Sequence, residues 1–77
     1  MAEDPKKLRR QAQKHVRDGK YQQAIELYED LVDLDPKTAR HRLKLADLYA
    51  SQGRTEEAID AYRAVGKIHA DDDIYQK

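Results

Sequence analysis

Two stretches decide how this chain folds: Gly19-Lys20-Tyr21-Gln22-Gln23-Ala24-Ile25-Glu26-Leu27-Tyr28 and Gly53-Arg54-Thr55-Glu56-Glu57-Ala58-Ile59-Asp60-Ala61-Tyr62, which lie 34 positions apart. Glycine, alanine, isoleucine and tyrosine recur at matching places. The same shift sets Ala12 on Ala46 and pairs Glu26 with Asp60, Leu31 with Val65 and Leu34 with Ile68. Small, bulky and turn-forming residues coincide together, so the period is a structural repeat.

Working outward from these stretches, each unit reads as two helices. The first is expected from about Pro5 to Asp18, with Asp4 as cap and Pro5 in the first turn. Gly19 supplies the positive φ that ends it. From about Tyr21 to Leu34, Ala24, Ile25, Tyr28, Leu31 and Val32 recur at helical spacing, and Asp35-Pro36 stops that run. A third helix starts near Thr38, carries Leu45, Ala46, Leu48 and Tyr49, and ends at Gly53. A fourth is expected to be capped by Thr55, with Glu56 and Glu57 where the helix dipole favours acid. It continues through Ala58, Ile59, Tyr62, Val65 and Ile68. No segment alternates as a strand does. The pattern predicts an all-α chain with units at 5–37 and 38–71. It also predicts that 72–77, with Asp71 to Asp73 as N-cap and first turn, opens a third repeat. The expectation is an N-terminal fragment of a longer array.

Composition narrows the function classes. The chain has 77 residues, 39 % of them hydrophobic and 39 % charged, with fifteen basic residues against fifteen acidic ones. Balanced charge with few Gly and Pro points to solvated helices and away from disorder. The absence of cysteine excludes disulfides, thiolate metal sites and a cysteine nucleophile. No apolar run has the length of a membrane span, and Met1–Arg10 lacks the apolar stretch of a signal peptide. A soluble, cytoplasmic protein is expected. His15, His41 and His69 fall on three helices without metal-ligand spacing. Asp71 to Asp73 lack the glycine and distal glutamate of a calcium loop, and there is no phosphate-binding or nucleophile motif. The chain is expected to be no enzyme and to need no cofactor or metal.

The period and residue types resemble the tetratricopeptide repeat, a helix–turn–helix unit of 34 residues. Leu8, Ala12, Gly19, Tyr21, Ala24, Tyr28, Leu31 and Pro36 carry the resemblance in the first unit. Leu45, Ala46, Tyr49, Gly53, Ala58, Tyr62 and Val65 carry it in the second. Ala12, Ala24, Ala46 and Ala58 are small where helices approach closely, and Tyr28, Tyr49 and Tyr62 are expected to fill wider gaps. The sequence departs from the pattern at several places. Leu8 and Arg42 stand where a large aromatic is common, His15 where a Tyr is usual, and Ala70 where Pro36 would predict proline. Gly66 stands inside a helix.

The resemblance implies that the first helix of each unit lines a concave groove. Carried onto this chain, the groove comprises Lys6, Arg9, Arg10, Gln13, Val16 and Arg17, then Arg40, Leu43, Lys44, Asp47, Ala50 and Ser51. Charge is polarised: the first and third helices are rich in Lys and Arg, whereas the second carries Glu26, Glu29, Asp30, Asp33 and Asp35. A neutral total hides a basic face in front of an acidic back. The resulting expectation is a protein-interaction scaffold that holds an acidic peptide or protein surface on the basic face. Arg9 and Lys44 lie near positions that relatives use to clamp a terminal carboxylate, but Gln13 and Asp47 replace asparagines, so that clamp is incomplete. Two alternatives stay open. One is self-association, as a dimer or helix-exchanged assembly through the C-terminal end. The other is nucleic-acid binding by the basic first helix, which the near-neutral isoelectric point and the flanking acidic helix disfavour.

Overall fold

The computed structural model describes residues 4–75, with side-chain environments over 4–70. Four helices follow in order: α1 (Pro5–Arg17), α2 (Tyr21–Leu34), α3 (Ala39–Ser51) and α4 (Thr55–Tyr75). There is no strand among the described residues. Asp4 caps α1 by accepting a hydrogen bond from the Lys6 amide at 3.0 Å, with Pro5 at the first helical position.

The two turns within the hairpins are copies of one another. Gly19 has φ +76° and Gly53 φ +75°. After α1, the Lys20 amide donates to the His15 carbonyl and the Gly19 amide to the Val16 carbonyl. After α3, Arg54 donates to Tyr49 and Gly53 to Ala50. Each is the six-to-one, five-to-two pattern of a Schellman cap, which needs a left-handed residue where a side chain would clash. The repeat of the sequence is therefore a repeat of backbone geometry.

Between the hairpins the chain turns differently. Asp35 ends α2, and its carboxylate accepts from Thr38 Oγ1 at 2.6 Å. Arg42 Nε donates to the Pro36 carbonyl at 3.2 Å. Arg42 therefore braces this turn, although it stands where the repeat pattern places an aromatic.

Packing runs strictly from one helix to the next, α1 on α2, α2 on α3 and α3 on α4. The molecule measures 42 × 33 × 18 Å, and its short dimension is about two helix diameters. One core joins both hairpins: Leu8, Ala12, Ala24, Ile25, Tyr28, Leu31, Leu45, Leu48, Tyr49 and Ala58. The four expected alanines are buried, since only a methyl group fits where helix axes come this close. Tyr49 adds a polar tie across the hairpins, its hydroxyl donating to Glu29 on α2. Burial and that acceptor both hold the Tyr49 phenol well above its ordinary range, so it stays a neutral donor.

Three expectations are corrected. Tyr62 does not fill a gap between helices: it is 43 % exposed, because among the described residues no helix lies over that side of α4. Thr55 is the first residue of α4 and not its cap. The backbone also does not open a new helix at Asp71–Asp73. α4 runs unbroken to Tyr75, since Ala70, a strong helix former, stands where proline would have stopped it. Residues 76 and 77 of the expected third repeat lie outside the described residues.

Candidate functional site

Among the described residues α1 and α3 make no close approach to each other, although both pack on α2. The space between them is an open furrow of about 440 Å³. Gln13, Val16 and Arg17 line one wall, Lys44, Asp47, Leu48 and Ser51 the other, and Tyr28 of α2 also lines it. Each wall follows from helical spacing. Residues at i, i+3, i+4 and i+7 share one face, so 13, 16 and 17 align, as do 44, 47, 48 and 51.

The polar groups in the furrow are unevenly available. Arg17 and Lys44 are exposed cations. Ser51 Oγ is turned back to the Leu48 carbonyl at 2.8 Å. Asp47 accepts from the Tyr62 hydroxyl at 2.5 Å, which fixes one of its carboxylate oxygens on α4. Burial pushes the Tyr28 hydroxyl above its ordinary pKa, against a smaller pull from Arg9, so it stays protonated. Among the described residues, the furrow thus combines two free cations and one engaged carboxylate with the apolar surface of Val16 and Leu48.

A second depression of about 290 Å³ lies at the N-terminal ends of α1 and α3, lined by Lys6, Arg9, Arg40, Asp4, Asp35 and His41 among others. Its acids are engaged locally. Asp4 caps α1, and Asp35 holds Thr38 and lies 3.7 Å from His41 Nε2. His41 is 4 % exposed, and its Nδ1 is buried without a partner. Burial holds its imidazole below the usual histidine range. Asp35 opposes that shift, and Arg40 and Arg9 reinforce it.

The residues expected in a single groove therefore fall into two groups. Gln13, Arg17, Lys44 and Asp47 meet in the furrow, while Lys6, Arg9 and Arg40 meet at the second depression. Arg10 and Leu43 are exposed but line neither. Tyr28 and Leu48 belong to the furrow and were expected only as packing. Leu48 could have been found, since it lies four residues from Lys44; nothing in the sequence marks Tyr28. On α2, Glu26, Asp30 and Asp33 are exposed and Glu29 is half-buried.

Among the described residues no group of three or more His, Cys, Asp or Glu side chains could hold a metal ion. No helix there is long and apolar enough to cross a membrane. No curated protein matches the chain. The family model described as tetratricopeptide repeat matches residues 9–73, a span that holds both glycine turns and all or most of each helix. With paired hairpins of matching turn geometry beneath that match, the chain belongs to the tetratricopeptide repeat family.

Proposed function

We propose that the α1–α3 furrow holds an acidic segment of a partner protein, with Arg17 and Lys44 meeting its carboxylates and Val16 and Leu48 its apolar side chains. Tetratricopeptide repeats generally mediate protein–protein interaction and typically act as non-catalytic scaffolds. One observation supports the finer reading: among the described residues, two unengaged cations face a shared gap whose single carboxylate is already bonded to Tyr62. A negatively charged ligand gains attraction from both walls, while the acidic α2 surface repels it elsewhere. Such a field speeds encounter more than it tightens the final complex. Lys6, Arg9 and Arg40 would extend the basic track towards the far end of α1.

The test is titration of the chain with fluorescent peptides, acidic and basic, at low and moderate salt. Binding should favour the acidic peptide, weaken with salt, and weaken about tenfold or more in the double variant Arg17→Glu, Lys44→Glu. Both residues are exposed, so helical circular dichroism should be unchanged. Equal binding of both peptides, or an unaffected double variant, removes this reading. Stronger binding to a random oligonucleotide than to the acidic peptide would replace it with nucleic-acid recognition.

A further inference from the structure

α4 carries a surface that the described chain leaves open. Ile59 and Tyr62 are 45 % and 43 % exposed, and Gly66 continues their stripe at helical spacing. A Cβ at Gly66 would meet nothing within 4 Å. The chain's own packing therefore does not require a glycine there, although glycine is unfavourable inside a helix. Along one edge of the stripe stand Glu56, Asp60, Arg63 and Lys67, all exposed. The edge is acidic in its first half and basic in its second.

That order is complementary to itself only in an antiparallel pair. About a point midway between Ala61 and Tyr62, a two-fold rotation carries Glu56 onto Lys67 and Asp60 onto Arg63. It also brings Ile59 within one turn of the second copy's Tyr62, with Gly66 leaving room for close approach. The opposite end of the molecule excludes the other simple arrangement. α3 buries His41, Leu45 and Leu48, whereas the α1 residues 34 positions earlier are Lys7, Gln11 and Lys14, all exposed. α1 therefore offers a polar surface where head-to-tail stacking on α4 would need an apolar one. We infer that α4 pairs antiparallel with α4 of a second copy, giving a closed two-fold dimer. This contact uses none of the furrow residues Arg17 and Lys44, so failure of either reading leaves the other standing.

Sedimentation equilibrium of the 77-residue chain from about 10 µM to about 1 mM covers the range of a weak, small interface. A monomer–dimer equilibrium is expected. The variants Arg63→Glu, Lys67→Glu and, separately, Glu56→Lys, Asp60→Lys should each dissociate about tenfold or more readily, because two-fold symmetry makes every rim pair twice. Mixed in equal amounts, the two variants should form a heterodimer. All four positions are exposed, and circular dichroism confirms that the variants fold. A monomer at every concentration overturns the proposal, as does growth beyond a dimer. Variants that dimerise normally, or a mixture that fails to recover pairing, overturn the antiparallel register.

Discussion

α2 and α4 are built on the same template, yet they live in different surroundings. Ala24 and Ala58 are both buried, at 0 and 4 % exposure, but Ile25 is 0 % exposed against 45 % for Ile59, and Tyr28 2 % against 43 % for Tyr62. The difference lies in the neighbours. α2 is held between α1 and α3, while among the described residues α4 packs on α3 alone. Alanine at the first position serves the hairpin itself, so it is buried in both units. Isoleucine and tyrosine serve the next helix along, so their burial depends on whether that helix is present. In a stacked architecture, residue type is set by place within the unit and its energetic value by the adjoining unit.

The strongest way to break this comparison is to truncate the matched pair. Ile25→Ala should cost about 2–5 kcal/mol by urea denaturation, the range for a fully buried large side chain. Ile59→Ala should cost under about 1 kcal/mol, since solvent already reaches it. Equal losses would show that α4 is covered in solution or that α2 is looser than its burial suggests. A smaller contrast sharpens the same point through glycine. Gly53→Ala should destabilise by about 1 kcal/mol, because its φ of +75° lies in a region that L side chains rarely adopt. Gly66→Ala should stabilise the monomer by up to about 1 kcal/mol, since it sits in α4 with open space around it.

The smallest effect concerns the end of the α2–α3 contact, where His41 is buried beside Asp35. Its folded pKa lies below its unfolded value of about 6.5. Between those two values the unfolded chain binds more protons, so stability rises with pH. The contribution is whole above about pH 6.5 and is lost as pH falls towards the folded pKa. Denaturation midpoints measured at pH 7 and pH 5.5 should therefore differ less in His41→Gln than in the parent chain.

Much of the fold was legible because its signals are local. Gly19 and Gly53 mark left-handed caps wherever they occur at a helix end, and the alanine spacing marks close helix contact. The extent of α4 was not legible, because three aspartates read as a helix start only where something stops the preceding helix, and Ala70 does not. Tyr62 was misplaced for the reason that separates α2 from α4: the sequence within a unit does not say what lies beside it. The furrow walls followed from spacing along α1 and α3. The place of Tyr28 in its lining did not, because the gap lies between two helices that make no close approach to each other. The bracing role of Arg42 depends on how one connecting turn folds back.

Since every packed pair of helices is consecutive along the chain, assembly closes no long loop and never waits for distant segments to find one another. Such local topology belongs to the microsecond-to-millisecond class of folding rates. Each hairpin can zip shut from its glycine turn before the two dock through α2 and α3, so contacts within a unit need not wait for the contact between units.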